Sequence, residues 1–293
     1  MSTVVATATA TEDAVALRRK RARRRLTPRL LIVSVAAYLI GIIFLLPYVE
    51  MVITALRPPS ELQSRNYVPE HWDWSNFTSI WKTGFGTNLR VSLQIAGGAT
   101  LLVLIVALPA AYYTARRKFR LRVLFLLLVL ATQMFQPAAL LVGIQRQFTS
   151  YGLSPVTSLI LVNAGFNLAF AVWILNAYFS SIPAELEEAA MVDGTSRIGA
   201  LTRITLPLAL PGVVTALIFT FIAAWNEFIV ALTLTGDPTK GPLTVAINNY
   251  IGQYSVDWGH LFAGSVIATI PVIILFALIE GKVVGGLTAG SIK

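Results

Sequence analysis

Cysteine is absent from the 293 residues, and histidine occurs only twice, as His71 and His260. The first absence excludes disulfides and thiolate metal sites. The two imidazoles lie beside expected outer loops and are read as loop polarity, so no metal site is expected. Charge is also scarce. Asp, Glu, Lys and Arg make up 13% of the chain, against about 25% in soluble domains. Apolar residues make up 56% and the mean hydropathy is +0.71, which describes a chain solvated mostly by lipid. There is no Gly-x-x-x-x-Gly-Lys-Ser/Thr phosphate cradle. Gly281-Lys282 runs on into Val283-Val284 without the upstream glycine, so ATP hydrolysis by this chain is not expected. No nucleophile–base pairing or His/Asp/Glu ligand cluster suggests catalysis. The chain reads as a non-enzyme with no cofactor of its own.

The chain does have long apolar runs. Uncharged stretches occur at 30–49, 91–115, 123–145, 147–184, 204–226 and 261–279, each near the roughly 20 residues a membrane helix needs. Tyr151-Gly152-Leu153-Ser154-Pro155 punctuates the fourth, whose helix is expected from Val156 to Ser180. The fifth is expected to run on past Glu227 to Leu234. The fold class is therefore all-α integral membrane, with six transmembrane helices and both termini on one side. Placing that side in the cytoplasm puts 17 of the 23 Lys and Arg inside, as the positive-inside rule requires.

The same count accounts for the net charge of +9 and the run Arg18-Arg19-Lys20-Arg21-Ala22-Arg23-Arg24-Arg25. They read as a topology determinant facing anionic lipid, not as a nucleic-acid site. The apolar stretch that follows is too long for a signal-peptide core and lacks a cleavage site, so the first helix is expected to stay. The expected organisation is a disordered basic cytoplasmic tail over 1–26 and a transmembrane domain over 27–293, with a cytoplasmic loop at 181–206. Trp72, Trp74 and Trp81 in the outer segment 57–87 suit an interfacial belt or, alternatively, a docking partner.

The polar loop between the fourth and fifth runs is the most informative stretch. Ser180-Ser181-Ile182-Pro183 can start a new helix, with serine as cap and proline in the first turn. Glu185, Glu187 and Glu188 then complement the helix dipole, and Asp193-Gly194 ends the helix in a tight turn. A second short helix is expected over 195–204. An acidic start suits poorly a loop lying on the negatively charged cytoplasmic leaflet and favours contact with a soluble partner. Within the apolar spans, Glu227 is the clearest intramembrane ionisable residue, preceded by Trp225 and Asn226. Such residues default to a functional hypothesis, here a pore or gate site suited to a polyhydroxyl ligand. Gln133, Gln136, Asn163, Asn167 and Asn176 are read mostly as interhelical glue. Pro47, Pro109, Pro137 and Pro271 are read as helix kinks.

Glu188-Ala189-Ala190, with Asp193-Gly194 following and Ile204-Thr205-Leu206-Pro207 about ten residues further on, resembles the EAA signature of ABC-importer permeases. Trp225-Asn226-Glu227-Phe228, the segment from Asn248-Asn249-Tyr250 to Trp258-Gly259, and the tail Gly286-Leu287-Thr288-Ala289-Gly290 are similar to the MalG type of the carbohydrate-uptake branch. The resemblance covers roughly 30–293. It implies a type I ABC importer permease fold in the cell membrane of a prokaryote, and a second homologous permease subunit to complete the pore. It also implies two ATPase subunits that bind the ATP and Mg, an extracytoplasmic solute-binding protein, and a sugar or polyol substrate. By the same resemblance Glu188, Ala189, Ala190, Asp193 and Gly194 would couple to the ATPase, with both alanines letting the helix sit in its groove. Asn248, Asn249 and Tyr250 would lie where the binding protein docks. An ABC permease for another solute, an ion-coupled secondary transporter and a non-transporting scaffold are the alternatives.

Overall fold

The computed structural model describes residues 28–62, 66–117, 119–135 and 137–289. The basic tail, Arg65, Lys118, Gln136, Gly290 and Lys293 therefore lie outside the described residues. Among those described, the elements are helical apart from an isolated antiparallel bridge between Ile251 and Val256. The chain divides into two compact units, 1–50 and 51–293. The first contributes most of α1 (Pro28–Ala55), an apolar helix with Pro47 inside it. The second contains the remaining elements.

Besides short helical turns, those elements are α2 (Phe85–Arg116), α3 (Arg122–Ala131), α4 (Pro137–Ser150), α5 (Pro155–Ser181), α6 (Glu185–Val192), α7 (Leu210–Trp225), α8 (Ile229–Leu234), α9 (Leu243–Asn248) and α10 (Trp258–Ala289). Among the described residues four helices, α1, α2, α5 and α10, are long and apolar enough to cross a bilayer, and up to six spans result if each of two bent pairs counts as one. The first bent pair falls at Pro137, one of the prolines read as a kink, and the second, near Pro211, corrects the expectation of an unbroken fifth span. In the third run, Arg122–Met134 and Ala139–Ser150 differ in direction by 97°. In the fifth, Arg197–Leu208 and Leu210–Trp225 differ by 74°. The apolar composition continues through each bend, so hydropathy alone does not register it. Pro137 and Pro211 each sit at or near the start of the later helix, where the ring tolerates a first turn but not a helix interior.

The expected continuation of the fifth helix to Leu234 is also interrupted. α7 stops at Trp225, and α8 starts afresh after Asn226-Glu227-Phe228. The Glu227 carboxylate accepts hydrogen bonds from the Val230 and Ala231 amides, at 2.7 and 2.8 Å, and so satisfies donors that a new helix leaves open.

α2 packs most closely on α5, and α7 packs against both. The seam uses small residues. Ala96, Ala99, Val103, Ala107 and Ala111 recur along one face of α2 and are buried against Ala171, Val172, Leu175 and Phe179 of α5, while Leu101 and Ile105 on other faces are 62% and 60% exposed. Lipid gives apolar side chains no reason to cluster, so close backbone approach and dispersion must hold such helices together. Gly212 shows how close that approach is: a Cβ there would collide with the ring and Cβ of Tyr178. Amide side chains divide into two uses. Gln133 bonds the Phe166 carbonyl at 2.6 Å and Asn176 bonds the Thr114 hydroxyl at 2.7 Å, both between helices. Asn163 and Asn167 instead bond carbonyls of their own helix.

Candidate functional site

The two ends of α2 gather different segments. Near Phe85, the Asn88 amide donates to the carbonyls of Thr239 (3.2 Å) and Gly241 (2.7 Å), and Ser92 Oγ accepts from the Leu243 amide at 2.7 Å. Thr83 and Tyr250 hydroxyls lie 2.9 Å apart. Ser79 Oγ meets His260 Nε2 at 2.7 Å, and His260 also contacts Asp257 and stacks on Tyr250. His260 is thus fixed in a network, beyond the loop polarity expected of it. The segments 76–88 and 235–260 therefore meet at one end of the membrane helix. The polar loop 182–205 meets its other end, at Tyr112 and Arg116.

α6 is the short helix expected in that loop, but it is capped differently. Its N-cap is Ala184 with no side-chain cap, and Ser181 Oγ donates instead to the Tyr178 carbonyl at 2.8 Å. Glu185, Glu187 and Glu188 supply negative charge to its first turn. Its end is a Schellman motif. Gly194, at φ +87°, donates to the Met191 carbonyl at 3.1 Å, and Thr195 donates to Ala190 at 3.0 Å. A side chain with a Cβ strongly disfavours that φ, so the glycine is required for the turn. Ser196 then caps Arg197–Ala200 through the Gly199 amide. A π-helical turn, Leu201–Thr205, leads on to Leu206–Leu208.

Two faces of α6 behave differently. Glu188, Ala189, Asp193 and Gly194 are exposed, although Glu188 also borders a cavity shared with Tyr112, Arg116 and Glu187. Ala190, expected to contact a partner alongside Ala189, is 8% exposed and turned into the chain itself. Its small size serves internal packing. Glu187, three positions before Ala190 and so on the same helix face, is the residue the motif did not flag. Its carboxylate accepts from Arg116 Nε at 2.8 Å, Thr205 Oγ1 at 2.5 Å and the Tyr112 hydroxyl at 2.7 Å. Arg116 Nη1 also donates to the Ile182 carbonyl at 2.8 Å. Burial pushes the Glu187 carboxyl up, but the bonds from Thr205, Tyr112 and Arg116, with the guanidinium charge, outweigh it and hold the group below its ordinary value.

The three expected pore residues are adjacent but differently used. Trp225 is 5% exposed, its ring stacked on Phe221 and its indole N–H donating to the Ala268 carbonyl at 3.2 Å. It therefore offers no free aromatic face. Glu227 is half-buried and committed to the α8 amides, while Asn226 is exposed. Of the docking trio, Asn249 is exposed, Asn248 is half-buried, and Tyr250 is tied to Thr83 and His260.

Residues 104–281 match the family model described as the binding-protein-dependent transport system inner membrane component. The chain is 34% identical over 263 residues to the sulfoquinovosyl glycerol transport system permease protein SmoH of Agrobacterium fabrum, covering 88% of this chain and 92% of that protein. It is 34% identical over 277 residues to the trehalose/maltose transport system permease protein MalG of Thermococcus litoralis, covering 92% and 99%. Among solved structures, a bacterial ABC transporter involved in the import of the acidic polysaccharide alginate superposes with a TM-score of 0.73 at 24% identity, over 86% of this chain and 96% of that one. That likeness carries the fold.

Proposed function

The chain belongs to the family of binding-protein-dependent transport system inner membrane components, and from that premise we propose that it forms half the pore of an ATP-driven importer for a sugar, oligosaccharide or related polyol. The substrate class rests on the names of its relatives, a sulfoquinovosyl glycerol permease and a trehalose/maltose permease. In this reading each bent pair counts as one span, giving six, with both termini cytoplasmic in the cell membrane of a prokaryote. A second homologous permease completes the pore. Two ATPase subunits beneath it bind ATP and Mg, and an extracytoplasmic binding protein delivers the ligand at the end of α2 where Asn248, Asn249 and Tyr250 lie. Asn226 is the pore contact, and Trp225 and Glu227 hold the chain around it.

The observation that carries the coupling role is the outward edge of α6. Glu188, Ala189, Asp193 and Gly194 are exposed side by side on a helix that ends in a fixed turn. An eight-residue helix is too short to persist on its own, and its exposed surface mixes acidic and small residues with Leu186 and Val192, the latter 87% exposed. Such a surface suits a groove in a soluble protein better than lipid. ATP-driven closure of the ATPases would press this edge toward its counterpart on the second permease and turn the pore outward.

The test is to purify the tagged chain in mild detergent and identify what accompanies it, then assay ATP hydrolysis against a panel of sugars with the matching binding protein. A second permease, an ATPase and hydrolysis stimulated by a loaded binding protein are expected. Recovery without an ATPase, together with uptake driven by an ion gradient, would replace this reading with a secondary transporter.

A further inference from the structure

α6 is held to its own chain in an unusual way. Only Ala190 and Glu187 of its residues are buried, and Leu186 is 43% exposed. Beside it lies a cavity of about 380 Å³ lined by Tyr112, Arg116, Glu187, Met191, Arg197 and Ala200 among others. There is thus no apolar seam beneath the helix comparable to the alanine face of α2. What holds it is the Glu187 carboxylate. Its two oxygens take three donors from two elements, Arg116 and Tyr112 on the last turns of α2 and Thr205 at the end of the π turn that leads toward α7. Arg116 adds a fourth bond, to Ile182 between α5 and α6. Glu187 is 7% exposed and Thr205 is fully buried.

Buried ion pairs add little net stability over a well-packed apolar contact. They do fix one geometry, because any slip strands a charge and several polar groups at once. We propose that Glu187 is a positioning residue for coupling, which acts through Arg116 and Thr205 to lock α6 to the inner end of α2 and to the entry of α7, so that a push on α6 moves those spans as one body. The proposal rests on α6 being the ATPase contact. Glu188 and Ala189 receive the stroke, and Glu187 passes it on. The π turn contributes to the same arrangement. π turns are frequent at functional positions, and this one ends at the residue whose hydroxyl closes the clamp.

The experiment uses the intact importer in vesicles and reads uptake and ATP hydrolysis together, in wild type and in Glu187→Ala, Glu187→Asp and Thr205→Val. In Glu187→Ala the ATPase should stay in the complex and hydrolysis should continue, while uptake per ATP falls about ten-fold, the size of an ordinary inter-site coupling. Thr205→Val should fall in the same direction by less, and Glu187→Asp should recover part of the loss. Unchanged uptake per ATP in Glu187→Ala would overturn the clamp alone, as would uptake and hydrolysis falling in proportion as the ATPase is lost. If Glu187→Ala fails to assemble, Thr205→Val and Tyr112→Phe, each removing one hydroxyl or its bond, give the same readout. Uptake by wild type without ATP would overturn the coupling reading and the clamp with it.

Discussion

At the Phe85 end of α2 the bonds made by the helix itself are neutral, the Asn88 amide on two carbonyls and the Ser92 hydroxyl under the Leu243 amide; beside them the Thr83 and Tyr250 hydroxyls meet and His260 pairs with Asp257. At the Arg116 end a buried carboxylate meets a half-buried guanidinium, with a threonine and a tyrosine also donating to the carboxylate, while Arg116 Nη2 is buried without a partner. Neutral hydrogen bonds each contribute roughly 1 kcal/mol and can be lost singly. A buried ion pair cannot be halved without leaving a charge in a poorly solvating site. The Phe85 end, held by several separate bonds, therefore tolerates local change. The end that meets the polar loop has a single permitted arrangement, which is what a lever arm requires.

Four predictions probe this contrast, beginning with the largest effect. Gly194→Val forces a β-branched residue into φ +87°, and Glu188→Lys reverses a charge on the outward edge. Both should leave membrane insertion intact and cut uptake about a hundredfold, near the top of the range for inter-site coupling. Normal uptake in both would remove the docking role of α6. Arg116→Met strands Glu187 and should destabilise the complex by about 3–5 kcal/mol, read as a large drop in detergent Tm. Asn88→Ala, at the opposite end, frees two carbonyls and should cost about 1–3 kcal/mol with uptake per ATP unchanged. A coupling defect in Asn88→Ala would erase the distinction between the ends. The smallest effect concerns pH. Because the Glu187 carboxyl is held below its ordinary value of 4.5, its contribution to stability is complete above that value and is lost as pH falls through the lowered one. Acidification from pH 7 to 5, measured as Tm, should therefore leave the clamp untouched. Glu187→Gln should flatten whatever acid loss appears below about 4.5.

Much of this molecule was legible in its sequence. Long apolar runs give α2, α5 and α10 directly, and Asp193-Gly194 announces the turn that ends α6. The bends are less visible, because a lipid-facing helix and a kinked one share the same composition. Glu227 illustrates the difficulty. An intramembrane carboxylate suggests a ligand, yet here it meets two amides of a helix that restarts two residues later. The assignment of Glu187 over Glu188 was the least visible. Successive residues on a helix point about 100° apart, so only one of two neighbouring glutamates can face inward. Which one does is set by Arg116, 71 residues earlier in the chain. The Glu187–Ala190 spacing was the available signal, since it places the buried carboxylate and the buried alanine on one face.

The absence of cysteine makes the most direct test a clean one. Single cysteines introduced by Ala189→Cys and by Ala190→Cys in the assembled importer can be labelled with a maleimide–benzophenone and photolysed, which inserts the label into C–H bonds of whatever lies against it. The account predicts that Ala189→Cys cross-links to the ATPase and that Ala190→Cys, on the clamped face, does not. Equal cross-linking from both positions, or from neither while the ATPase is present, would contradict the division of α6 into a face that receives the stroke and a face that transmits it.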